Sequence, residues 1–183
     1  MNAFVSCALL LLLAAATVAS PQTAQDIELE KSCRDFVQKF YDWYVPNALD
    51  LKVTSASDLA IKSRTADFSS ELVKLLREDS EAQSKHPGEI VGLDFDPILS
   101  SQDPSDHFVV RNITRKGGSY LVEVFGTSSG ERREKVVAEL VLKNNKWVFV
   151  NFHYPRFEQS SPKNADLISI LKRLRENRQQ HAK

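Results

Sequence analysis

The chain has 183 residues, 24 Lys+Arg against 24 Asp+Glu, a formal net charge of zero and 42% hydrophobic residues. That length fits one domain, and that apolar share is enough for a core. Charge balance argues against a general nucleic-acid binder, which needs a basic face. Six glycines and two cysteines leave little material for phosphate-cradling loops, thiolate metal clusters or a disulfide framework.

The first 20 residues stand apart. An apolar run from Ala8 to Ala16 is followed by small residues, Ala19 and Ser20. The run is short for a bilayer span and suits a signal peptide over residues 1–20. An exported protein, periplasmic or extracellular, is therefore expected, with no membrane span once the signal is removed. A retained anchor is the alternative, since no Lys or Arg precedes the run. Cys7 lies too early to be a convincing lipid-attachment site. If it leaves with the signal, Cys33 is a lone thiol with no internal disulfide partner. Residues 21–30 read as a polar leader, 31–178 as one domain and 179–183 as a tail.

Cys33, Phe36, Val37, Phe40, Tyr41 and Tyr44 recur at i, i+3, i+4, i+7, i+8 and i+11, which predicts a helix with one apolar face. Pro46 is expected to end it. A short helix is expected around Asp58–Lys62. A second long one carries Phe68, Leu72, Leu75 and Leu76 on one face, with Asp67 or Ser69 as its cap. Residues 88–107, with two Asp-Pro steps, read as an irregular connection.

The period then changes to two. Phe108–Thr114, Tyr120–Phe125, Lys135–Leu142 and Trp147–Tyr154 read as strands. Gly117-Gly118 and Asn144-Asn145 suit tight turns, and Thr127–Arg133 a longer link. Short links imply an antiparallel meander, because parallel pairs need long crossovers. A last helix carries Leu167, Ile170, Leu171 and Leu174. Its basic residues, Lys172, Arg173, Arg175 and Arg178, read as a solvated helix end that suits the helix dipole. The fold class is thus α+β: amphipathic helices packed on a curved four-stranded antiparallel meander, with a C-terminal helix.

Among possible sites, Asp94, Asp96, Asp103 and Asp106 cluster within one connection. Ile98 and Leu99 stand where an EF-hand needs a ligand and a glycine. Asp96, Gln102 and Asp103 are therefore read as a structural motif, and no metal ligands or cofactor are assigned. His86, His107, His153 and His181 are scattered, and no catalytic residue is assigned. Cys33, between apolar neighbours, reads as a buried small hydrophobe. Asn112-Ile113-Thr114 matches a glycosylation sequon, relevant only in a glycosylating pathway.

Several stretches together resemble a known family. They are Phe36-Val37, Phe40-Tyr41 and Trp43-Tyr44; Phe68, Leu72 and Leu75-Leu76; Asp94-Phe95-Asp96-Pro97-Ile98-Leu99 with Gln102-Asp103; Trp147, Asn151-Phe152 and Tyr154; and Asp166-Leu167-Ile168 with Leu171. This set resembles the bacterial domain-of-unknown-function family that includes the YbjP-like lipoproteins, over roughly residues 30–175. The resemblance implies helices on a curved sheet, similar to nuclear-transport-factor-2-like and cystatin-like folds. It implies no catalytic residues. Lipid anchoring does not carry over, for want of a suitable cysteine.

The expectation is a soluble, exported, non-catalytic domain that binds a small ligand or a protein. The alternative is an enzyme with a cone-shaped apolar pocket and an Asp or His general base. Any cavity is expected between the first helix and the sheet, lined by Tyr44, Trp147 and Phe149, with Asn151 and His153 near its mouth. That placement assumes strict alternation, which puts Trp147, Phe149, Asn151 and His153 on one strand face.

Overall fold

The computed structural model describes residues 21–155 and 166–181. In chain order the elements are α1 (Pro21–Leu49), α2 (Ala56–Ser63), a 3-10 turn (Thr65–Asp67), α3 (Ser70–Ser84), β1 (His107–Lys116), β2 (Ser119–Ser128), β3 (Glu131–Lys143), β4 (Lys146–His153) and α4 (Leu167–His181). The strands form one antiparallel sheet in the order β1-β2-β3-β4, the meander that the short links predict. The fold is α+β, with the helices against one face. Among the described residues no helix is long and apolar enough to cross a membrane. The signal-peptide reading of residues 1–20 lies outside the described residues.

Helix α1 is longer than its apolar stripe. Residues 21–30 continue it rather than forming a leader, because they are mostly good helix formers and Pro21 occupies a first-turn position. Residues 24–30 are exposed or half-buried, and Asp26 meets Arg115 of β1 at 3.0 Å. Pro46 also lies inside the helix, which ends at Leu49. A proline so near the end removes one helical bond, and Asn47 Nδ2 donates to Trp43 O at 2.7 Å in the same turn. Ser69 caps α3 by accepting from Leu72 N at 3.2 Å. Phe68 precedes that helix in extended conformation and bridges to Phe149.

The turns follow backbone chemistry. Asn144 and Asn145 have φ of 50° and 60°, the pair of positive values that a two-residue turn of this hand requires. Ser129 and Gly130, at 52° and 82°, make a similar turn, so the β2–β3 link is shorter than expected.

The core lies between the helices and one sheet face. Cys33, Val37, Phe40, Tyr41 and Tyr44 of α1 are fully buried against Val122, Val124, Val136, Ala138 and Leu140. At about 1.5–3 kcal/mol for each large apolar side chain buried, this layer is the main source of stability. Phe40 is its hub: its ring centroid lies 4.8 Å from that of Phe149, 5.5 Å from Tyr44 and 5.6 Å from Phe68.

Side chains also guard the outer strand β1. Gln38 Nε2 donates to Phe108 O at 3.0 Å, and its Oε1 accepts from Val110 N at 2.9 Å. Arg34 donates to Arg111 O at 2.7 Å. Backbone groups that would otherwise face another chain are thereby satisfied by α1. On β4 the bridges from Phe68 and Asp166 cover part of the other edge.

Three basic residues of α4 are paired rather than merely solvated. Lys172 meets Glu71 at 2.8 Å, Arg175 meets Glu78, and Arg178 meets Asp79 at 2.7 Å, all on α3. The two helices run parallel, since successive basic residues meet successive acidic ones.

Candidate functional site

The sequence-predicted site residues of β4 divide between the two faces of the sheet. Leu140 pairs with Phe149 and Ala138 with Phe152, so Val150 and Asn151 together face Glu139. This bulge inserts one extra residue into β4 and reverses the alternation beyond it. Phe152 thus joins Trp147 and Phe149 on the buried face, and Asn151 and His153 pass to the other. The shared face that strict alternation predicts is broken at Val150, which nothing in the residue pattern reveals.

Trp147 and Phe149 are core residues. Trp147 Nε1 donates to Ser32 Oγ at 2.9 Å, and its ring meets Tyr120 edge-on at 4.9 Å. Phe149 packs among Phe36, Phe40, Phe68 and Phe152. The space between α1 and the sheet, where a cavity is expected, is filled by these rings. Asn151 holds the start of α4: its Nδ2 donates to Asp166 Oδ1 at 2.9 Å and its Oδ1 accepts from Ile168 N at 3.1 Å. Burial works upward on the Asp166 carboxyl, but the bonds from Asn151 and Ser169 outweigh it and hold it below the usual range. His153 Nε2 lies 2.9 Å from Glu139 Oε2 on the far face.

The aspartate segment is built around three buried tyrosines. Tyr44 donates to Asp96 Oδ2 at 2.7 Å, Tyr154 to Pro97 O at 2.7 Å and Tyr41 to Ile98 O at 2.9 Å. Asp96 Oδ1 accepts from Ile98 N at 2.8 Å and Leu99 N at 3.0 Å, and the loop closes by Asp96 N donating to Ser101 O at 2.9 Å. Asp96 and Gln102 thus hold the connection, Gln102 through its Nε2 on Asp94 O at 2.8 Å. Asp103 does not share the anchoring role expected of it. It is exposed and contributes its own N–H to Ser101 Oγ at 3.2 Å. Asp94, Asp96, Asp103 and Asp106 form no cage; among the described residues no group of three or more His, Cys, Asp or Glu is placed to hold a metal ion.

A cleft of about 680 Å³ opens beside this loop. Its walls are the link between α1 and α2 with the start of α2, one side of α3, and the connection over residues 93–104. Val53, Leu76 and Phe95 give it apolar surface; Ser57, Asp58, Asp79, Ser80, Asp96 and Gln102 give it polar groups. Such a volume lies within the ~300–1,000 Å³ usual for small-molecule sites. Ser80 donates to Asp58 Oδ2 at 2.7 Å, and Asp79 Oδ2 accepts from Leu93 N at 2.8 Å. Gly92 packs so closely there that a Cβ would lie 2.7 Å from Asp79 Oδ2. Asp96 stands at the wall of this cleft. Burial pushes its carboxyl up, against the bonds from Tyr44, Leu99 and Ile98 that favour the charged form.

The sequence-predicted set therefore touches the cleft through Asp96 and Gln102, and through Tyr44, which lies behind Asp96. Asp58 and Ser80 are not picked out by the periodic pattern. One signal for Asp79 was present: it follows Leu72, Leu75 and Leu76 at the next position of the same apolar stripe. A carboxylate in a buried stripe needs a partner, and Arg178 supplies it.

No protein-family model and no curated protein matches the chain. A crystal structure of a protein of unknown function from Bacteroides thetaiotaomicron VPI-5482 is similar over 72% of this chain and 95% of that chain, with 13% identity and a TM-score of 0.49.

Proposed function

We propose that this protein is an exported, non-catalytic binding domain, and that it binds a small molecule in the cleft between α2, α3 and the aspartate-rich connection. The observation that carries the reading is the cleft itself: a cavity of ligand size with apolar walls and convergent polar groups. Its rim is built on helices and on a loop anchored by three tyrosine hydroxyls. Rigid support of this kind lowers the ordering cost of binding. The apolar run before residue 20 supports export. The reading accords with the resemblance to the YbjP-like family, which implies no catalytic residues. Native mass spectrometry of protein recovered from outside the cytoplasm tests it. A retained small molecule, lost when Ser57→Trp narrows the cleft, is expected; protein confined to the cytoplasm with Met1 intact would contradict the export half.

An enzyme is the second reading, and the observation favouring it is Asp96, a carboxyl raised by burial at the cleft wall. Three donors already engage its two oxygens, which suits an anchor better than a free general base. His153 does not serve as a base there, because it lies on the opposite sheet face beside Glu139.

A further inference from the structure

Resting on the cleft as the binding site, we propose that its ligand is a small organic cation: an amine or quaternary ammonium carrying an apolar body. Among the described residues the lining holds Asp58, Asp79, Asp94 and Asp96 and no Lys, Arg or His. Of these, Asp79 is matched by Arg178 from behind the wall. Asp58 and Asp96 are bonded to neutral donors, the Ser80 and Tyr44 hydroxyls and backbone N–H groups, which leave their charge uncompensated. A concave wall with one sign of charge focuses the field and repels anions.

The spread of these groups decides between kinds of cation. Among the described residues no three of them converge closely enough for a metal ion. Carboxylates distributed over a cavity of about 680 Å³ suit a cation whose charge is joined to a larger body. The hydrogen-bonding capacity agrees. Gln102 commits its Nε2 to Asp94 O, and Ser80 commits its hydroxyl proton to Asp58. The carboxylates are acceptors only, and a protonated amine supplies donors. Leu76, Val53 and Phe95 offer the apolar surface, and an aromatic ring attracts an ammonium group further.

The test is calorimetric titration with matched probes: alkylammonium, phenethylammonium and trimethylammonium compounds, with their alcohol and carboxylate counterparts. The amines are expected to bind on the order of tenfold more tightly than either counterpart, and more weakly as salt is raised. Asp94→Asn, at an exposed position where folding is not at stake, should weaken the amines severalfold and leave the alcohols unchanged. Alcohols or carboxylates binding as well as the amines would overturn the cation proposal and leave the cleft reading standing. No binding by any of the three classes would overturn both.

Discussion

The Tyr44 hydroxyl donates to Asp96 Oδ2 at 2.7 Å, joining positions 52 residues apart in sequence. The bond fastens the irregular connection to the most buried turn of α1, and Asp96 in turn holds Ile98 N and Leu99 N. Tyr44→Phe removes the hydroxyl and little volume. It is expected to lower stability by about 1.5–3 kcal/mol, the range for a hydrogen bond to a charged group. Urea unfolding measures this; an unchanged midpoint would mean that the loop is held by other means.

The same carboxyl sets a pH dependence. Burial raises the folded pKa of Asp96 above its ordinary value of 3.8. Between the ordinary and the raised value the folded state holds a proton that the unfolded chain has lost. Stability contributed by this group is therefore present below pH ~3.8 and falls as pH rises through the folded pKa. Asp96→Asn does not titrate. The stability of the wild type relative to Asp96→Asn should decline with rising pH in that window, read from unfolding at a series of pH values. A relative stability that climbs with pH would mean a depressed carboxyl instead.

Cys33 should be inert. Burial pushes its thiol up to about 12, with Arg34 lowering it a little, so the reactive thiolate is nearly absent at pH ~8. Thiol labelling is expected to be slow in native protein and fast in denaturant. Fast labelling of the native state would contradict the packing of α1 on the sheet.

The ion pairs between α3 and α4 should be unequal. Lys172 and Glu71 are both largely exposed, so Lys172→Ala should cost at most about 1 kcal/mol. Arg178 compensates Asp79, whose side chain is 7% exposed. Arg178→Ala leaves that carboxylate buried without a cation and should cost about 3 kcal/mol. Denaturant unfolding of the two variants side by side checks the contrast, and equal losses would refute it.

Much of the fold was legible because its cause is local. The stripe of Val37, Phe40, Tyr41 and Tyr44, the cap at Ser69 and the Asn144-Asn145 turn each follow from spacing or backbone preference within a few residues. The β4 face was not, because the bulge at Val150 depends on the partner strand and leaves no mark in the residue pattern. The candidate site was legible only in part. Asp96 and Gln102 stood out as a local cluster, but Asp58 and Asp79 reach the same cleft through the packing of α2 and α3. Periodicity reports which side of a helix is buried, not which helix lies opposite.

The most direct measurement for the whole account is mapping of backbone amide chemical shifts as a bound cation is titrated. The probe is the tightest-binding compound of the amine set. Shifts are expected to concentrate at residues 55–58, 79–83 and 94–102, around the cleft. Shifts concentrated instead on the far sheet face, at Leu121, Val137, Val148 and His153, would contradict it and place the binding surface on the open side of the sheet.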